Sequence, residues 1–135
     1  MGVKERFFPG PYIDRYKGCL VGSAVGDALG APVEFMSPGD IRRKFGIVDE
    51  MLGGGMFGWL AGETTDDTDQ TMIVVDSILD NSSYVPEDIA NRLLLWFESK
   101  PVDIGGTTAR SLSILAKGYS WKESGKIALM MGSSP

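Results

Sequence analysis

Apolar positions recur along this chain at three- and four-residue spacing, and no segment sustains the two-residue alternation of a half-buried strand. The pattern therefore predicts an all-α chain. Residues 1–11 read as a loop, because Pro9-Gly10-Pro11 interrupts regular structure. A first helix is expected from Arg15 to Ala31, with Asp14 as its N-cap and Pro32 as its limit. A glycine-rich connection spans 38–64, with a short helical turn over Ile41–Phe45. The second helix runs from Asp66 to Asp80 and places Met72, Val75, Ile78 and Leu79 on one face, before Asn81-Ser82-Ser83 ends it. Pro86 opens the third helix in the favoured first-turn position. Its apolar face holds Ile89, Leu93, Trp96 and Phe97, and Pro101 closes it. Asp103-Ile104-Gly105-Gly106 reads as a turn, and Thr107 or Thr108 should cap a fourth helix up to Lys117, stopped by Gly118. A fifth covers Trp121 to Met131, and Gly132-Ser133-Ser134-Pro135 carries a loop signal.

The first helix has an unusual pattern. Gly18, Gly22, Gly26 and Gly30 recur every four residues and so form one row on its surface. Each glycine costs up to about 1 kcal/mol relative to alanine inside a helix. The simplest compensation is close approach of another backbone, so a tightly packed central helix is expected; room for a ligand is the compatible alternative.

Composition narrows the chemistry. The length of 135 residues suits one domain, and 43% apolar with 23% charged residues is ordinary for a globular chain. The net charge is −5, and Arg42-Arg43-Lys44 is the densest basic patch, which argues against a nucleic-acid partner. The single cysteine, Cys19, excludes an intramolecular disulfide, fits a reducing compartment, and is expected to be a small buried hydrophobe. Residues 1–11 show no signal-peptide pattern, and Asp27 interrupts the most apolar stretch, so neither secretion nor a membrane span is expected and a cytoplasmic location is. With no histidine, Ser-His and Cys-His catalysis are unavailable, and any metal must be held by oxygen donors.

The sharpest candidate is Thr64-Thr65-Asp66-Asp67-Thr68-Asp69, three carboxylates within four positions. At about 4 Å, like charges repel by about 4 kcal/mol in an effective dielectric of about 20. Two offsets are open. A helix N-terminus favours acids by about 0.3–1 kcal/mol each, with Thr65 as an ordinary N-cap. Alternatively, a hard divalent cation is held by these oxygens. Asp27, inside the small-residue helix, and Glu34, just after Pro32, are further acids that serve either as structural or solvated groups or as part of a site. Pro101 to Thr108, with Asp103, reads by itself as a capping turn.

Taken together and in this order, these segments resemble the ADP-ribosylglycohydrolases, which include the dinitrogenase reductase-activating glycohydrolases and the J1 crystallins. The resemblance runs from Gly18-Cys19-Leu20-Val21-Gly22-Ser23-Ala24-Val25-Gly26-Asp27-Ala28-Leu29-Gly30-Ala31-Pro32-Val33-Glu34 through Thr64-Thr65-Asp66-Asp67-Thr68 and Met72 to Asp103-Ile104-Gly105 and Thr107-Thr108. It implies an all-α orthogonal helical bundle, with this chain as its amino-terminal half and therefore truncated. It implies a centre of two magnesium ions, manganese in some members, with Thr65, Asp66 and Asp67 as metal ligands. Glu34 and Asp103 are implied as catalytic residues, and Asp27 as a supporting or structural acid. The family's closing Asp-x-Asp-Thr/Ser motif does not follow Asp103. The expected function is magnesium-dependent release of ADP-ribose from an ADP-ribosylated protein or small conjugate, incomplete in this chain, with self-association through exposed apolar surface. The alternatives are a non-catalytic ADP-ribose-binding or crystallin-like protein of the same fold, or a small helical interaction domain whose acids are caps.

Overall fold

The computed structural model describes residues 10–132. The expectations for residues 1–9 and 133–135 lie outside that range. The chain divides into two compact units, Met1–Thr64 and Thr65–Pro135. Six helices form among the described residues, and the only β-type pairing there is an isolated antiparallel bridge between Gly54 and Trp59. The all-α expectation holds.

In the first unit, α1 (Gly10–Gly30) runs into a 3-10 turn, Ala31–Val33, followed by α2 (Pro38–Phe45). The helix starts earlier than predicted and Asp14 lies inside it. Pro11 is compatible with this start, because a first-turn residue needs no intrahelical N–H bond. Ser37 caps α2, its hydroxyl accepting from the Asp40 N–H at 3.2 Å, and Asp40 pairs with Arg43 one turn on. Ala28, Ala31, Pro32 and Trp59 are the buried residues among those described in this unit.

The glycine row differs from expectation. Gly18, Gly22, Gly26 and Gly30 are exposed, and a Cβ at any of them would meet nothing within 4 Å. Close packing is instead made by the following loop. A Cβ on Gly55 would lie 2.8 Å from the Pro32 Cα, so only glycine lets the loop reach the 3-10 turn. Cys19 is exposed rather than buried, because it shares the uncovered surface of α1.

In the second unit, α3 (Asp66–Asn81), α4 (Pro86–Glu98), α5 (Gly106–Leu115) and α6 (Trp121–Met130) pack together, with α4 touching all three others and α5 lying against α6. The inward face of α3 is offset from the predicted one. Met72, Ile78 and Leu79 are exposed and Val75 is half-buried. The packed side carries Asp66, Gln70, Ile73, Val74 and Ser77, and Ser77 is fully buried. A polar node makes this possible: the Ser77 hydroxyl donates to Asp88 at 2.7 Å, and Arg92 bonds Asp88 at 2.7 Å and Asp80 at 2.8 Å. Ser77 and Arg92 hold the Asp88 carboxyl below its ordinary value, the serine bond being the larger cause. The other predicted helices are present with small changes of boundary. Gly105, rather than Thr107 or Thr108, occupies the N-cap of α5, and Gly118 stops the chain after it at φ 91°.

Candidate functional site

The acidic segment Thr65 to Asp69 forms the first turn of α3. Thr65 is buried and extended (φ −104°, ψ −166°), and its hydroxyl accepts from the Asp67 N–H at 3.3 Å. The capping expectation for Thr65 is thus realised. Asp66, Asp67 and Asp69 all lie in the first helical turn, where the unpaired N–H groups favour negative charge.

Neutral donors hold two of these carboxylates. Asp66 Oδ2 accepts from Gln70 Nε2 at 2.9 Å, one helical turn along, and from the Gly105 backbone N–H at 3.2 Å. Asp69 Oδ2 accepts from Trp96 Nε1 of α4 at 3.0 Å. Donors of this kind restrict the rotamer of a carboxylate without neutralising its charge, as an arginine or lysine would.

The bond to Gly105 has a geometric consequence. It joins the start of α3 to the turn before α5, 39 residues away in sequence. Asp103, half-buried, lies two residues before that amide. The structure therefore brings together Thr65, Asp66, Asp67 and the turn that carries Asp103. Glu34 belongs to the first unit and is exposed, just beyond the 3-10 turn, and Asp27 is half-buried on α1.

Sequence reasoning missed Gln70, Trp96 and the Gly105 amide as partners of the acids. The Gln70 signal was present, since glutamine and aspartate four apart on a helix face each other. In the sequence Trp96 reads only as an apolar residue of its helix face, and a backbone amide leaves no trace in residue identity.

Thr65, Asp66 and Asp67 offer one hydroxyl and two carboxylates, a hard-oxygen set suited to magnesium or manganese. Among the described residues, no group of three or more His, Cys, Asp or Glu side chains is arranged to hold a metal ion. The chemistry of the donors fits a hard cation, although these three groups alone would not complete its coordination shell. No single described helix is long and apolar enough to cross a membrane; only a bent pair, Tyr12–Val33 with Pro38–Phe45, reaches that apolarity, across an 87° break.

Comparison with known proteins gives one consistent result. The sequence model of the ADP-ribosylglycohydrolase family matches residues 9–134. An ADP-ribosyl-[dinitrogen reductase] glycohydrolase of Rhodospirillum rubrum is 41% identical over 104 residues, covering 76% of this chain and 35% of that protein. An ADP-ribosylarginine hydrolase of Pseudomonas putida is 34% identical over 122 residues, covering 84% of this chain and 32% of that protein. An uncharacterized protein of Archaeoglobus fulgidus is 39% identical over 113 residues, covering 83% and 37%. A solved structure described as an ADP-ribosylglycohydrolase-related protein complex superposes with a TM-score of 0.64 at 39% identity, over 76% of this chain and 33% of that one. The chain spans about a third of the length of the proteins it matches.

Proposed function

This chain belongs to the ADP-ribosylglycohydrolase family, and we propose on that footing that it supplies one side of a hydrolytic site for ADP-ribose conjugates. The observation that carries the reading is the convergence at Asp66. Its carboxylate joins the start of α3 to the turn of Asp103, so that the acids of both segments are held together.

Thr65, Asp66 and Asp67 would hold the divalent cation. When bound, the cation would orient ribose hydroxyls and make a water more acidic. The protein's own contribution is then largely one of placement. Gln70 and the Gly105 amide fix the Asp66 carboxylate, and Trp96 fixes that of Asp69. Glycosidic cleavage at C1 of the ribose builds positive charge on the sugar ring, which nearby carboxylates stabilise. We assign Glu34 to accepting a proton from the attacking water, and Asp103 to contacting the ribose side of the conjugate. The substrate class is an ADP-ribosylated protein or small conjugate, with ADP-ribosylarginine as the first candidate, since two relatives carry names of that chemistry or of dinitrogen reductase. A single exposed thiol suits a reducing compartment, and we place the protein in the cytoplasm.

The test is magnesium-dependent release of ADP-ribose from ADP-ribosylated arginine, by this chain and by its Asp66→Ala variant. Release by the first and none by the second is expected. Equal release by both, or release unaffected by chelation, would sink the metal reading. No release by either would favour the non-catalytic alternative for this chain.

A further inference from the structure

Glu34 is held by a turn whose backbone is strained at the next residue. Met36 donates its N–H to the Val33 carbonyl at 3.1 Å. Glu34 has φ −53° and ψ 143°, and Phe35 has φ 63°. These are the angles of a type II turn, which ordinarily has glycine at the position that Phe35 occupies. A non-glycine residue there costs about 1–3 kcal/mol. Burial does not offset the cost, because Phe35 is 72% exposed.

What the ring does gain is a specific contact. Phe35 meets Phe57 edge-on, with centroids 6.5 Å apart and planes at 65°. Phe57 in turn lies against Trp59 at 5.7 Å, and Trp59 is buried. The Trp59 Nε1 is buried without a hydrogen-bond partner among the described residues, so packing alone sets the place of this indole. The segment bearing Phe57 and Trp59 is itself closed by mutual backbone bonds between Gly54 and Trp59, at 2.7 and 2.8 Å. Gly55 seats that segment on the backbone of Pro32. The Glu34 turn is therefore attached to the loop on both sides: through Pro32 before it and through the Phe35 ring after it.

We propose that Phe35 and Phe57 are positioning residues for Glu34, a ring-to-ring clamp that keeps the type II turn closed and so fixes where the Glu34 carboxylate is presented. The proposal rests on the reading of Glu34 as a residue of the hydrolytic site. It assigns a purpose to a strained, exposed phenylalanine that contributes little to a core.

The decisive variants are Phe57→Ala and Phe35→Ala. Alanine at position 35 keeps the backbone cost of positive φ and removes only the ring, and Phe57→Ala leaves the turn residue itself unchanged. Loss of the clamp raises hydrogen exchange at the Met36 amide by about three- to tenfold, the range expected for one edge-on aromatic pair. Each single variant should show that rise, the double variant should add little to either, and Phe57→Tyr should keep exchange slow. Unchanged or slower exchange in either single variant, or additive effects in the double variant, would overturn the proposal. This measurement needs no turnover. Where ADP-ribose release is measurable, Phe57→Ala should lower kcat with little change in KM, and Glu34→Gln separately tests the role of the carboxylate. If Glu34→Gln releases ADP-ribose normally while the exchange results hold, the function assigned to Glu34 fails and the clamp stands.

Discussion

Single residues in this chain act mainly through the space they leave or fill. Gly55 is the clearest case: its φ is 74°, and an added Cβ would meet the Pro32 backbone at 2.8 Å. Gly55→Ala should therefore destabilise the protein by about 1–3 kcal/mol, read as a lower midpoint in urea. Gly22 is the counter-case, since a methyl group there meets nothing within 4 Å and the residue is helical. Gly22→Ala should raise stability by about 0.5–1 kcal/mol. A loss instead of a gain would mean that some surface packs on the row in solution. Cys19 lies on the same uncovered helix and should react with a thiol reagent under native conditions as fast as a free thiol does.

At the scale of elements, α3 and α4 are joined by a polar node. Ser77 and Arg92 keep the Asp88 carboxyl below its ordinary value of 3.8. A carboxyl whose pKa is depressed by folding contributes stability above its unfolded value, and that contribution is lost as pH falls through its folded value. Ser77→Ala weakens the depression. The difference in stability between wild type and Ser77→Ala should thus be largest near neutrality and should narrow on acidification below 3.8. A difference that stays constant with pH would mean that Ser77 acts only by filling space. The same node explains why Met72, Ile78 and Leu79 are left exposed. Helix periodicity identifies a stripe of apolar residues, but Ser77 turned inward places the packed side of α3 on the Asp66–Gln70–Ile73–Ser77 row instead.

For the molecule as a whole, the proposed cation site would link binding to folding. A ligand that binds the folded state alone raises stability, by about 2.7 kcal/mol at 100-fold excess over its Kd. Magnesium should therefore raise the Tm of this chain in proportion to the logarithm of its concentration, and Asp66→Ala should remove the rise. No shift in the wild type would return the acids of α3 to the role of helix caps. Val21, Val25, Leu129 and Met130 are exposed together with other large apolar residues, so sedimentation should show concentration-dependent self-association. Much of this architecture was legible in the sequence. Helix period, Pro86, Gly118 and the Thr65 cap are local signals, and local backbone geometry obeys them. The candidate residues at the start of α3 were equally legible, because three carboxylates in four positions require an offset wherever they sit. Other features depended on partners distant in sequence. The exposure of the glycine row, the inward turn of Ser77, the bond from Gly105 to Asp66 and the contact of Phe35 with Phe57 each depend on what the chain brings alongside, or leaves away from, a given side chain. Residue identity and spacing determine what a segment can form by itself; tertiary structure decides which of its faces meets a neighbour, because that choice is made by contacts between segments.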